Sequence, residues 1–315
     1  MVLKPSQLGH VTPVRQGAGL ALRKTLRKPQ FWFGASVLVP TFLWYAVFAL
    51  WPVLSAFWLA VVDYRVLDPF SSPFVGLENF RELFANPLLL TAMGNTGLWA
   101  VLLFVMMLPL SLVVSLCLAS VVRGRNIYQA LLFLPVVIPL VAITLLFKML
   151  FDPDVGQVNT VLLNLNLPTS TWLNSSSTAL PTAVSIAVWK GLGFNIVILT
   201  AGLLNIPREL QEAAMVDGAN RWQRTWRITL PLLAHTLVLV SVLLVIGGLQ
   251  EFTLPFILTS GGPDNSTYLL NLLVYNEAFQ NLHFGIASCA ALLEFAVILL
   301  ISLLQLRLLR PTWSY

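Results

Sequence analysis

Six long stretches of this chain carry no charged side chain. They run between Lys28 and Asp63, Glu82 and Arg123, Arg125 and Lys148, Asp154 and Lys190, Arg227 and Glu251, and Glu277 and Glu294. Leu, Val, Ile and Phe dominate them. A hydrocarbon layer roughly 30 Å thick needs about 20 apolar residues per helix, and buried helices of soluble proteins are shorter. Only 10% of the 315 residues are charged, against roughly 25% in an ordinary soluble domain. A water-facing globule is therefore a poor reading. The pattern predicts an all-α polytopic membrane protein with six spanning helices, at 34–62, 93–122, 128–150, 179–205, 232–258 and 284–308.

The net charge of +5 is a matter of topology. Lys4, Arg15, Arg23, Lys24, Arg27 and Lys28 precede the first span. Arg123 and Arg125 separate spans two and three, and Arg208, Arg221, Arg224 and Arg227 separate spans four and five. Arg307 and Arg310 follow span six, which places 14 of the 18 basic residues on one side. By the positive-inside rule both termini and the 206–231 loop are cytoplasmic, and no nucleic-acid partner is implied. The expected organisation is a cytoplasmic arm over 1–33, a transmembrane domain over 34–308 and a short cytoplasmic tail over 309–315.

Cys117 and Cys289 both fall in apolar spans without metal spacing and read as packing residues. His10, His235 and His283 are scattered, so no metal site is expected. No cofactor is expected either. Pro40, Pro52, Pro135, Pro139, Gly191, Gly193, Gly247, Gly248 and Pro255 interrupt the spans. Such breakers suit ordinary helix packing in lipid and also suit backbone that faces a wet path; the pattern alone leaves both readings open.

The loop between Ile206 and Pro231 is the most informative segment. Pro207 can open a short helix. Residues 208–217 favour helix, and Gly218 stands where a helix ends in a left-handed conformation. Asn220 with Gln223 makes a capping box for a second helix. Trp222 and Trp226 share one face of it, with Arg221, Arg224 and Arg227 mostly elsewhere, as suits a headgroup layer. In the first helix, Ala213 and Ala214 form a small-residue surface beside Glu212. That permits close approach by another protein, with one charge to fix orientation.

Glu212-Ala213-Ala214, then Gly218 ten residues before Ile228, then Leu230-Pro231, resemble the EAA loop of binding-protein-dependent importer permeases. Asp217-Gly218-Ala219 fits the carbohydrate branch of that family, as do Val75-Gly76-Leu77-Glu78-Asn79-Phe80, Asn95-Thr96, Thr259-Ser260-Gly261-Gly262-Pro263, Thr267, Tyr275 and Ala278-Phe279. Trp226 departs from the usual Phe, conservatively. The similarity covers roughly residues 34–308 and looks closest to the first permease of maltose-type and glycerol-phosphate-type ABC importers. It implies a type I importer permease in a bacterial inner membrane, carrying a sugar or polyol. It further implies a second, different permease, two cytoplasmic ATPases and an external solute-binding protein. In that family the EAA helix docks in a cleft of the ATPase, which assigns Glu212, Ala213, Ala214, Asp217 and Gly218 to coupling.

The residues support this independently. The phosphate-cradling pattern G-x-x-x-x-G-K-[ST] is absent, and no Gly-Lys pair occurs. Energy must come from another polypeptide. A membrane-embedded enzyme would need a catalytic constellation in the spans, and a secondary transporter would not need the EAA loop. Import of another small solute is the nearer alternative.

Ionisable residues inside a span are expensive and mark function by default, and there are four candidates, Lys148, Lys190, Glu251 and Glu294. Lys148 is near the outer end of its span and can snorkel. Lys190 lies 16 residues before Ile206, and Glu251 lies 20 residues after Pro231. At 1.5 Å per residue both stand roughly 24–30 Å above the loop. Lys190, Gly191, Phe194, Asn195, Gly248 and Glu251 are therefore the expected solute-binding residues, with an aromatic face for a sugar ring. The competing reading is a structural Lys–Glu pair between spans four and five. In maltose-type permeases the sugar site is lined from corresponding positions, which the resemblance adds in support.

Overall fold

The computed structural model describes residues 29–65, 68, 71–121 and 123–309. Most of the expected N-terminal arm, with its six basic residues, and the tail from Arg310 lie outside the described residues. The chain falls into two units, Met1–Ser55 and Ala56–Tyr315.

The described part of the first unit holds α1 (Pro29–Tyr45), a π-helical stretch Ala46–Leu50 and most of α2 (Trp51–Leu59). Trp32, Phe42, Trp44 and Trp51 are all more than half exposed. Apolar side chains turned outward along a whole helix require a surrounding as apolar as themselves. Trp32–Leu59 is long and apolar enough to cross a membrane.

The second unit begins with α3 (Glu78–Ala85) and α4 (Pro87–Ser120). Asn86 starts α4 by accepting from the Leu88 amide at 2.9 Å, with Pro87 at the first helical position. At the far end the Arg125 guanidinium donates to the carbonyls of Leu118, Ala119 and Val121, in the last turn, where carbonyls run out of helical donors. Then come α5 (Arg125–Val137), α6 (Leu140–Leu150), α7 (Gln157–Asn164) and α8 (Ala179–Leu204). The 206–231 loop contains α9 (Arg208–Val216), α10 (Arg221–Arg224), a π-helical stretch Thr225–Thr229 and α11 (Leu230–Leu232). The chain closes with α12 (Ala234–Leu249), α13 (Thr253–Thr259), α14 (Leu270–Tyr275) and α15 (Phe284–Leu308). Among the described residues β pairing is limited to an isolated bridge, Val62 to Phe74.

The main core is built where α8 packs on α4, α5 and α12. Trp99, Leu103 and Met107 of α4 meet Val184 and Leu199 of α8 and Val240 and Leu244 of α12. Close approach depends on small residues. A Cβ on Gly193 of α8 would lie 2.2 Å from the Leu132 carbonyl oxygen of α5, so no larger residue fits. Ser115 of α4 is fully buried and donates to the Ile196 carbonyl of α8 at 3.3 Å. A second cluster gathers Leu83, Leu89, Leu270, Leu272, Leu273 and Cys289. Cys289 is buried as expected, whereas Cys117 is exposed on α4, a correction to its reading as a packing residue.

The signature segments at 75–80, 95–96 and 259–267 tie this cluster together. Asn79 donates to the carbonyls of Ala60 and Val62, both at 3.0 Å. Asn95 donates to Asn265 and Tyr268 carbonyls, and Thr96 accepts from the Leu270 amide at 2.8 Å. The Thr259 and Thr267 hydroxyls meet at 2.6 Å. In the 151–178 loop, amides of Val155 and Asp154 hold the Asp152 carboxyl below its ordinary pKa.

Among the described residues four helices are long and apolar enough to cross a membrane: Trp32–Leu59, α4, α8 and α15. Two bent pairs bring the count to as many as six. α5 and α6 meet at 87°, so the expected span 128–150 is broken. Pro139 disfavours helix at the residue before it and supplies no amide; Ile138 is extended, with ψ 136°. The expected span 232–258 is also corrected. The segment Arg221–Leu232 meets α12 at 69°, and α12 stops at Leu249. Gly247 and Gly248 weaken the helix there, and the Glu251 side chain starts a separate helix, α13. α4 begins at Pro87, earlier than the expected residue 93. α15 spans the expected 284–308.

Candidate functional site

The α5–α6 break and the α12–α13 break face one cavity of about 350 Å³. Leu103 and Met107 line it from α4, Leu140 from α6, and Leu243, Leu244 and Gly247 from α12. α8 contributes Ala187, Lys190, Gly191, Phe194 and Asn195, while Glu251 and Leu254 close it from the α12–α13 break. Five of the six residues expected from sequence are thus brought together. Gly248 is the exception: a Cβ there would lie 3.2 Å from Ala100 of α4. Its neighbour Gly247 takes the place in the lining, because the helix turns about 100° per residue.

Lys190 and Glu251 form no ion pair with each other; among the described residues the pairs are Arg65–Asp63, Arg81–Glu78 and His283–Glu277. Each instead holds backbone freed by a helix break. Lys190 Nζ donates to the Val136 carbonyl at 2.9 Å, at the last turn of α5. Glu251 Oε1 accepts from the amides of Phe252 and Leu254, at 3.2 and 3.1 Å, and so caps α13. An ammonium has three donors and a carboxylate two oxygens, so both keep capacity for a ligand in the cavity. Asn195 is 4% exposed and donates to the Gly191 carbonyl and to Met107 Sδ. Phe194 is 46% exposed beside them. An ammonium, a carboxylate, an amide and an aromatic ring thus line one otherwise apolar cavity.

A second cavity of about 390 Å³ lies at the other ends of α6 and α13, lined by Lys148, Asn174, Thr259, Ser260 and Pro263 among others. Lys148 donates to the Ile257 carbonyl at 3.1 Å. Leu254 and Leu258, each 2% exposed, belong to the α13 that joins the two cavities.

In the 206–231 loop, Gly218 has φ +78°, and nothing stands within 4 Å of where its Cβ would be. It ends α9 in the left-handed region. Asn220 and Gln223 form the reciprocal capping box, both bonds at 2.9 Å. The rings of Trp222 and Trp226 lie 5.4 Å apart and are exposed. Glu212, Ala213, Asp217 and Gly218 are exposed, but Ala214 is 7% exposed. The expected Ala213–Ala214 surface is therefore corrected: Ala214 is turned into the protein, since successive helix positions point about 100° apart. Glu212 and Val216, four residues apart, share the outward face instead. Sequence reasoning missed Val216, which is 88% exposed.

Residues 108–314 match the family described as the binding-protein-dependent transport system inner membrane component. The chain belongs to this family. Among relatives it is 31% identical to the multiple sugar-binding transport system permease protein MsmF of Streptococcus mutans, over 92% of this chain and 98% of MsmF. It is 30% identical to the arabinooligosaccharides transport system permease protein AraP of Bacillus subtilis, over 97% of both chains. It is also 30% identical to the sn-glycerol-3-phosphate transport system permease protein UgpA of Pectobacterium atrosepticum, over 92% of this chain and 99% of UgpA. Among solved structures it resembles a chain of a bacterial ABC transporter involved in the import of the acidic polysaccharide alginate. The TM-score is 0.82 at 25% identity, with 93% of this chain and 100% of that chain covered. It also resembles a chain of a bacterial alginate ABC transporter solved in complex with an alginate pentasaccharide-bound periplasmic protein, with a TM-score of 0.78 at 25% identity. This permease is thus an inner-membrane component of a transport system.

Proposed function

We propose that this permease is the transmembrane subunit of an ATP-driven importer for a sugar or polyol, and that the cavity at Lys190 and Glu251 is part of the solute path. The observation that carries the reading is the near end-to-end likeness to MsmF, 98% of which is covered. AraP, named for arabinooligosaccharides, supports it at similar coverage. The chemistry of the cavity agrees. Sugars offer hydroxyls that bond charged and amide groups, and ring C–H faces that rest on an aromatic such as Phe194.

In this reading the chain has no ATPase site of its own. Two ATP-binding-cassette subunits bind the cytoplasmic 206–231 loop, with Glu212, Ala213, Asp217 and Gly218 on α9 and its end as the coupling surface. Both termini are cytoplasmic. A solute-binding protein delivers the sugar from outside, and a different permease completes the path. The intact mass of the complex purified from native membranes tests the assembly. One copy of this chain, one different permease and two ATPase copies are expected. Two copies of this chain, or no ATPase subunit, would contradict the proposal.

A further inference from the structure

The two arms of the 206–231 loop are joined by a side-chain contact that neither the EAA pattern nor the capping box contains. Gln211 Nε2, on α9, donates to Thr229 Oγ1 at 2.9 Å. Thr229 Oγ1 in turn donates to the Arg224 carbonyl, 3.4 Å away and five residues back. Thr229 is 8% exposed, and Gln211 is half-buried. The contact therefore sits out of water, where an unpaired partner is costly.

Its position matters because it ties the two arms directly, across the turn between them. At that turn Gly218 has φ +78°, and the Gly218 and Ala219 amides bond back to the Met215 and Ala214 carbonyls of α9. Thr229 lies at the end of the π-helical stretch Thr225–Thr229, a geometry common at points that bend. Beyond it the chain passes α11, bends by 69° and becomes α12. α12 carries Leu243, Leu244 and Gly247 into the inner cavity, and Glu251 follows it. Remove the contact, and α9 is tied to the root of α12 less directly, through the Gly218 turn and α10. Keep it, and a displacement of α9 must be followed by the root of α12.

We propose that Gln211 and Thr229 form the strut that transmits movement of α9 to the α12 wall of the solute cavity. They are positioning residues, and the inference rests on the reading of α9 as the ATPase-docking helix. The experiment uses the assembled complex in proteoliposomes, measuring solute uptake and ATP hydrolysis on the same preparation. Thr229→Val keeps the shape and removes the hydroxyl; Gln211→Leu removes the donor from the other side. Each should lower solute moved per ATP by about tenfold, the change in an equilibrium expected when a buried hydrogen bond is lost. Hydrolysis should stay within about twofold of the unmodified complex on the same footing. Thr229→Ser should restore the ratio. The double variant should be no worse than either single, because both remove one contact. An unchanged ratio in both singles would overturn the strut, as would Thr229→Ser failing like Thr229→Val, or uptake and hydrolysis falling in parallel. Glu212→Lys separates the two claims. If it uncouples the complex while Thr229→Val does not, the strut alone is wrong; if it too has no effect, the docking role of α9 is wrong.

Discussion

Gly218→Val is expected to abolish most solute uptake while leaving the subunit inserted and assembled. The glycine has φ +78°, a region that costs an L-residue roughly 1–2 kcal/mol and a β-branched one more. No neighbour stands within 4 Å of the Cβ position, so the substitution does not overpack anything. The cost is conformational and falls on the angle between α9 and α10. A shift of that size displaces a two-state balance by about 5- to 30-fold, which sets the expected fall in uptake. Gly218→Asn should retain far more activity, because Asn tolerates the left-handed region. Glu212→Lys, which reverses an exposed charge on α9, should act in the same direction through docking. Uptake assays with immunodetection of the inserted subunit read both. Normal uptake in Gly218→Val and Glu212→Lys would remove the coupling role from this loop.

Lys190→Met combined with Glu251→Gln should raise the KM for uptake by about 10- to 100-fold, as expected for loss of charge-assisted hydrogen bonds worth roughly 1.5–3 kcal/mol. The design follows from the absence of an ion pair between the two. Gln keeps an oxygen able to accept from the Phe252 and Leu254 amides, so the cap of α13 survives. Met fills the volume of the lysine stem and leaves the Val136 carbonyl without its donor. A purely structural role predicts poor assembly and an unchanged KM in whatever assembles. A solute site predicts the opposite: normal assembly, basal ATP hydrolysis maintained, and altered affinity or sugar preference. Normal uptake kinetics in an assembled double variant would end the binding assignment.

Much of the architecture is legible in uncharged runs, because a bilayer punishes charge on every residue of a span. α15 spans its expected bounds even though Glu294 lies inside it, because the apolar run resumes on either side of that residue. Gly218 and the Asn220–Gln223 box are legible for a different reason: both are local, set by residues within one turn. The breaks are harder. Pro139 is visible as a breaker, but whether it kinks a span or ends a helix depends on what packs around it. Here the 87° bend comes with Lys190 holding the carbonyl at the break, 54 residues away in sequence. The α12–α13 break is similar: Glu251 reads as a buried charge, and its capping of α13 appears only in three dimensions. Gly248 and Ala214 show the one-residue limit of helical reading, since an error of about 100° turns a lining residue into a packing one. The Gln211–Thr229 contact joins residues 18 apart across a turn. Neither residue type signals a partner at that distance.

The central claim is that this permease moves a sugar or polyol at the expense of ATP. The most direct measurement places the complex in proteoliposomes with its binding protein and follows uptake and ATP hydrolysis together across a panel of sugars and polyols. One structurally related group of these solutes is expected to raise both rates, and only when the binding protein is present. Uptake that proceeds without ATP, or hydrolysis and uptake indifferent to every member of the panel, would contradict it.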